Sequence, residues 1–270
     1  MSTQPLAVIT GATSGLGKEY ALQLAALGYD LFLVARRIEL LETLKNELES
    51  KFSVSVEVMR ADLSDSVQLR LLEEKVAKIE NLDILINNAG YGFEGKYPVE
   101  DIDMECKMIQ VHDIAPIRLC QAALGPMMRR KNGKIINVAS VAAFLYGTGS
   151  AQYTATKAYL LAFSKCLQVD VRSAGIRVQA LCPGLVRTGF HGSETMKKLE
   201  EKYKAIPNFI WLDCSDVVRD SLKNIMKKRH RVVFVPSFRY KIFLAILTCP
   251  LWSWLPEKIY QYRNTKSCRR

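Results

Sequence analysis

Apolar residues along this chain gather in short runs, and between the runs lie stretches whose apolar positions recur at helical spacing. The first run, 6–10, has the length and continuity of a strand covered on both faces, and a Gly-rich turn leads from it into a helical stretch over 16–27. The alternation then continues. Strands are predicted at 31–35, 54–60, 84–86, 134–138 and 177–181, and helices at 39–51, 66–79, 104–128 and 153–173, the third of these running through Pro116. Such βαβ alternation predicts an α/β doubly wound parallel sheet with helices on both faces and right-handed crossovers. In sheets of this kind ligands bind beyond the carboxyl ends of the strands, so chemistry is sought in the loops that follow them.

After residue 188 the rhythm changes. Residues 189–209 are polar and helix-prone, 215–228 read as an amphipathic helix, and 232–235 as one further strand. This third has too little apolar content to fold alone, so 1–270 is expected to be a single domain. The segment 189–230 is expected to cover a substrate, with 189–203 as a flexible lid that excludes water; an ordinary surface helix is the competing reading. An apolar, basic extension follows over 237–270. Its stretch 240–256 is shorter than the ~20 residues that span a bilayer and is interrupted by Pro250, so no transmembrane helix is predicted. Trp252 and Trp254, with Lys241, Lys258, Arg263, Lys266, Arg269 and Arg270 around them, suit peripheral membrane contact through 240–270. A helix packed beside the cleft or on a neighbouring subunit fits equally well.

At 270 residues, 49% of them hydrophobic, the chain can bury a substantial core. No basic leader and long apolar segment precede the first strand, which predicts a cytoplasmic protein, peripheral on a membrane if the tail docks there, and not a secreted one. Seven cysteines (106, 120, 166, 182, 214, 249 and 268) are scattered singly, mostly in apolar periodic segments. They read as reduced core residues, with no metal site and no disulfide expected. The net charge of +11 concentrates at 127–131, 223–231 and 263–270 without an aromatic platform for stacking bases. That argues against nucleic acid and leaves a solvated basic surface or contact with anionic lipid.

The candidate chemistry sits in the loops. Gly11, Thr13, Ser14, Gly15, Leu16 and Gly17 form the turn between the first strand and first helix, where glycines let the backbone approach a pyrophosphate and the helix dipole favours its charge. The second strand ends in Arg36 and Arg37 where a ribose-binding carboxylate is common in dinucleotide sites; guanidiniums there suit a 2′-phosphate, so NADP(H) is the expected cofactor. Asp62 and Leu63 close the third strand, placing a carboxylate where it can accept from an adenine amino group. Asn88, Ala89 and Gly90 close the fourth. Ser140 follows the fifth. Tyr153 and Lys157 stand four apart on a predicted helix, which puts phenol and ammonium on one face. An ammonium beside a phenol lowers its pKa from about 10 toward the range of a working acid/base. A hydroxyl at Ser140 could then hold a carbonyl oxygen for the tyrosine to protonate.

In order and spacing these motifs, with Pro183-Gly184 and Val186-Arg187-Thr188 after the sixth strand, resemble the short-chain dehydrogenase/reductase family over about residues 5–190. The resemblance implies a Rossmann-type domain with Tyr153 as acid/base, Lys157 tuning it and binding the nicotinamide ribose, and Ser140 orienting the substrate oxygen. It also implies Pro183, Gly184, Val186 and Thr188 near the nicotinamide, and a homodimer or homotetramer paired through 104–128 and 153–173. One departure is evident. The family's asparagine, which supports a water chain from the lysine, is replaced within Ile109-Gln110-Val111-His112-Asp113, and His112 takes its place unless the alignment shifts to Asp113. Imidazole can relay a proton, and it can also simply satisfy a core hydrogen bond. The expected activity is hydride exchange between NADP(H) and a hydrophobic ketone or secondary alcohol. The alternative is a non-catalytic, NADP(H)-binding, membrane-associated interaction protein.

Overall fold

The structure is a computed structural model that describes residues 4–92, 97–99, 101–145, 151–188 and 206–248. Its strands β1 (Leu6–Thr10), β2 (Asp30–Ala35), β3 (Val56–Arg60), β4 (Leu82–Asn87), β5 (Gly133–Val138), β6 (Ile176–Leu181) and β7 (Val233–Phe234) form one sheet in the order β3-β2-β1-β4-β5-β6-β7. Every pairing is parallel. Helices α1 (Gly15–Ala26), α2 (Ile38–Lys51), α3 (Ser66–Ala77), α4 (Ile102–Ile109), α5 (Ala115–Arg130), α6 (Ala151–Val171), α7 (Cys214–Ile225) and α8 (Phe238–Leu247) connect and cover it.

Strand periodicity divides the core in two. On β1 and β2, Ala7, Ile9, Leu31 and Leu33 point to one side and pack with α1, α2 and α7; Val8, Phe32 and Val34 point to the other and pack with α3, α5 and α6. Both faces of the central strands are therefore buried, which is why β2, β4 and β5 read as near-continuous apolar runs. The doubly wound parallel sheet expected from the alternation is the sheet that forms. β4 starts earlier than the predicted 84–86 because Asp83, which interrupts the run, is neutralised inside the sheet: Lys134 Nζ of β5 lies 2.7 Å and 2.8 Å from its two carboxylate oxygens.

The helix predicted over 104–128 is not continuous. Between α4 and α5 the chain widens into a π-helical turn, Gln110–Ile114, in which the Ala115 N–H reaches back to the Gln110 carbonyl. Pro116 has no N–H to return to the His112 carbonyl, so the regular ladder fails there and the wider turn relieves it. The turn buries Val111, His112 and Asp113. The cysteine reading also needs correction: Cys120 and Cys182 are buried, whereas Cys106 and Cys166 are exposed. The predicted lid at 189–203 and the tail from 249 onward, with Cys249 and Cys268, lie outside the described residues.

Candidate active site

All the motifs singled out above gather at the carboxyl edge of the sheet, around the switch point where β1 is flanked by β2 and β4. Gly11 and Gly15 have φ of 66° and 53°, in the left-handed region that suits glycine. A Cβ on Gly17 would stand 2.2 Å from the Gly11 carbonyl oxygen, so the turn closes this tightly only with glycine. Ser14 makes no side-chain cap bond and no acid occupies the first turn of α1, which leaves the positive end of the helix facing the crevice. Leu16 is buried in the core and anchors the turn.

The turn is tied to its neighbours on both sides. Thr10 Oγ1 accepts from the N–H groups of Asn88 and Ala89, each at 3.0 Å. In return Asn88 Nδ2 donates to the carbonyls of Thr10 (3.0 Å) and Gly11 (3.2 Å). Arg37 Nη2 donates to Thr13 Oγ1 at 3.0 Å, while Arg36 is exposed beside it. The Thr188 methyl carbon would lie 3.0 Å from a Cβ on Gly15, so the β6 loop meets the glycine turn. Asp62 Oδ1 accepts from Ser64 N (2.9 Å) and Ser64 Oγ (2.7 Å), and Leu63 is buried in the core below it. One carboxylate oxygen of Asp62 is thereby committed to its own turn.

The second half of the site lies across β5 and α6. Ser140 accepts from Ala142 N at 3.1 Å and starts a short 3₁₀ turn, Val141–Phe144, on which α6 packs. Lys157 is buried, donates to the Val138 carbonyl at 3.0 Å, and lies 5.8 Å from the centre of the Tyr153 ring. Burial brings the ammonium pKa down from 10.5 to about 8, opposed by Asp113 and Cys182. Asp113 is pushed up to about 7 by burial, opposed by Lys157, and its buried Oδ1 has no hydrogen-bond partner. Asp113 and Lys157 thus interact electrostatically, each opposing the effect of burial on the other.

His112 is buried next to Asp113 in the same turn and lies close enough to Lys157 to feel its charge. Its Nε2 accepts from the Tyr91 N–H at 3.1 Å, which requires the proton to be on Nδ1, and Nδ1 then donates to Thr156 Oγ1 at 3.1 Å. The Thr156 hydroxyl in turn donates to the Tyr153 carbonyl at 2.9 Å. Burial and the nearby Lys157 hold the imidazole pKa well below 6.5, so the ring is neutral. Its edge contacts the Tyr153 ring, with centroids 5.9 Å apart, and its Nε2 would be 2.9 Å from a Cβ on Gly90. A relay through His112 would have to displace one of the two bonds it makes.

Several contributors lie outside the candidate site residues. Asn87 donates to Asn137 Oδ1 (2.8 Å) and Asn137 to Ser164 Oγ (2.9 Å), so a buried polar chain locks β4, β5 and α6 together below the site. The available signal was Asn87 at the head of the 87–90 motif and a second asparagine, Asn137, near the end of the next strand. Asp113 entered only as the alternative to His112, and Tyr240, which packs on Gly184, had no signal beyond a tyrosine in an apolar tail.

The short chain dehydrogenase family profile matches residues 5–199. The chain belongs to the short-chain dehydrogenase family. It is 34% identical over 203 residues to "Nodulation protein G" of Rhizobium sp. (strain N33), covering 74% of this chain and 81% of that protein. It is 33% identical over 188 residues to the human "Very-long-chain 3-oxoacyl-CoA reductase", covering 67% of this chain and 59% of the relative. Among solved structures, a short-chain dehydrogenase from Sphingobium yanoikuyae in complex with NADPH superposes with a TM-score of 0.78 at 29% identity, over 88% of this chain and 92% of that one. Short-chain dehydrogenases are NAD(P)(H)-binding oxidoreductases of the CH–OH/C=O class, and the Rossmann-like sheet described above is theirs.

Proposed function

We propose that the protein is an NADP(H)-dependent oxidoreductase that interconverts a hydrophobic ketone and its secondary alcohol, of the steroid, retinoid or long-chain lipid class. The observation that carries this reading is the buried Lys157, anchored to the Val138 carbonyl and set beside the Tyr153 ring at the same sheet edge as the glycine turn. A dinucleotide fits the residues present. The glycine cradle admits no side chain, the start of α1 carries no acid, and Arg36 and Arg37 stand where a 2′-phosphate would add charge.

Bound NADPH would supply the hydride for the carbonyl carbon. In this reading Gly11, Ser14, Gly15 and Gly17 hold the pyrophosphate, Asp62 the adenine, and Asn88, Ala89 and Gly90 the adjoining ribose. Pro183, Gly184, Val186 and Thr188 border the nicotinamide, and Lys157 holds its ribose. Ser140 positions the carbonyl oxygen and Tyr153 delivers the proton to it, with the Lys157 ammonium stabilising the phenolate left behind. His112 acts at one remove, fixing the start of α6 through Thr156. The apolar patch of α8, with Phe238, Ile242, Phe243 and Ile246 exposed, suits a lipophilic substrate or peripheral contact with a cytoplasmic membrane face. None of the described helices is long and apolar enough to cross a membrane. Ile109, Ile114 and Tyr159, exposed on the α4–α6 side, suit pairing into a homodimer or homotetramer.

The similarity to a very-long-chain 3-oxoacyl-CoA reductase supports the lipid class, and the NADPH complex of the Sphingobium protein supports the cofactor. Turnover of NADPH with a panel of steroid, retinoid and long-chain ketones tests the reading. Wild-type protein should reduce at least one, and Tyr153→Phe should lower kcat by about 10²-fold or more. Full activity in that variant would reject Tyr153 as the acid. The non-catalytic alternative draws on the fully engaged His112 ring and the exposed α8 face, and it requires tight NADPH binding with no turnover on any of these ketones.

A further inference from the structure

The chain after β6 is held by a residue from the far end of the protein. Residues 185–187 run alongside Leu212 as an isolated parallel bridge, with Leu212 N–H donating to the Leu185 carbonyl (2.8 Å) and Arg187 N–H to the Leu212 carbonyl (2.9 Å). Continuation of that pattern by one step would bond the Leu185 N–H directly to the Ile210 carbonyl. Instead the Tyr240 hydroxyl of α8 stands between them, accepting from Leu185 N at 2.9 Å and donating to Ile210 O at 3.1 Å. The ring reaches this place because Gly184 has no side chain. Its carbons lie 2.0 Å to 2.3 Å from where a Cβ would be.

The same ring packs against the cluster containing Ala139 and Cys182, with Val141 and Phe144 of the turn that follows Ser140. That turn is bonded to the loop in its own right, Val141 N–H donating to the Pro183 carbonyl at 3.0 Å. Leu244, one helical turn beyond Tyr240, is buried in the same cluster. Tyr240 therefore bonds to the loop after β6 and packs against the same cluster as Val141 and Phe144 of the turn that follows Ser140.

We propose that Tyr240 is a positioning residue for the nicotinamide half of the cofactor site: its hydroxyl, wedged between Leu185 and Ile210, sets the height of the Pro183–Thr188 loop. The proposal rests on the reading that this loop borders the nicotinamide. It makes α8 a part of the cofactor site rather than an appendage, since loss of the helix would free both backbone groups and the space over Gly184. Tyr240→Phe would keep the ring as a spacer, so Leu185 N–H and Ile210 O would stay too far apart to bond each other and both would lose their partner.

Ligand titration of the full-length protein separates local positioning from general damage. NADPH probes both halves of the site, whereas adenosine 2′,5′-bisphosphate probes only the adenine and 2′-phosphate half. Tyr240→Phe should weaken NADPH by about tenfold or more, the effect of two lost hydrogen bonds, and leave adenosine 2′,5′-bisphosphate unchanged. Gly184→Ala should weaken NADPH further by colliding with the ring, and adding Tyr240→Ala to it should restore part of that loss. Unchanged NADPH affinity in Tyr240→Phe, or equal weakening of both ligands, overturns the proposal. Wild-type protein that binds neither ligand would overturn the cofactor reading beneath it, a result distinct from either.

Discussion

The residue that most sets this site apart is Asp113, which the π-helical turn carries into the interior with one oxygen unpartnered and Lys157 as the charge that opposes its burial. The groups facing the lysine are Asp113, the neutral His112, the Tyr153 ring and the Cys182 thiol, whose pKa burial raises to about 12. Of these, Asp113 is the group that burial brings to about 7. Its charge favours the ammonium, so Asp113→Asn should bring the Lys157 pKa below its value of about 8. The protonated lysine is the form that stabilises phenolate, and reduction should lose rate where it deprotonates. The alkaline limb of the kcat/KM profile for ketone reduction should therefore move to lower pH by about one unit in Asp113→Asn. A limb at the wild-type position would show that Asp113 does not act on the lysine.

At the scale of elements, contacts between strands and helices support the bonded loops of the site from below. The Asn87–Asn137–Ser164 chain fixes α6 to the sheet, and the Asp83–Lys134 pair joins β4 to β5 at their opposite end. Asp83 also accepts from Tyr29 and Asn132, so the buried carboxylate is fully served only when the lysine is present. Lys134→Ala would leave that charge uncompensated and should lower unfolding free energy by about 3 kcal/mol or more in urea. Pairing Lys134→Met with Asp83→Leu should recover most of it, since an apolar pair needs no solvation. Failure of the double variant to recover would mean that Tyr29 and Asn132, not the ion pair, set the cost. The alternation of elements was legible in the sequence because strands buried on both faces leave unbroken apolar runs. The break at Gln110–Ile114 was not, because a proline near a helix start and one that splits a helix look alike until the carbonyl it fails to serve is known.

For the whole molecule, the sheet order explains why scattered motifs lie together. Placing β4 beside β1 brings Asn88 onto Gly11, and following β5 and β6 brings Ser140 and Thr188 to the same edge. Residue types and their order along the chain were enough to single out the glycine turn, Asn88, Ser140, Tyr153 and Lys157 as candidates, which the fold brings to one edge of the sheet. Contacts that join distant positions left no local pattern: Tyr240 with Gly184, or His112 with Tyr91 and Thr156, are pairings that only the folded backbone brings about. The central claim is that this assembly moves hydride from NADPH to a hydrophobic carbonyl, with Arg36 and Arg37 favouring the phosphorylated cofactor. One measurement reads both parts: reduction of an accepted ketone with equimolar unlabelled NADH and NADPH carrying deuterium at C4, followed by mass spectrometry of the alcohol. The account predicts an alcohol bearing deuterium at the carbinol carbon in most molecules. An alcohol with hydrogen there in most molecules, or cofactor oxidation with no alcohol formed, would contradict it.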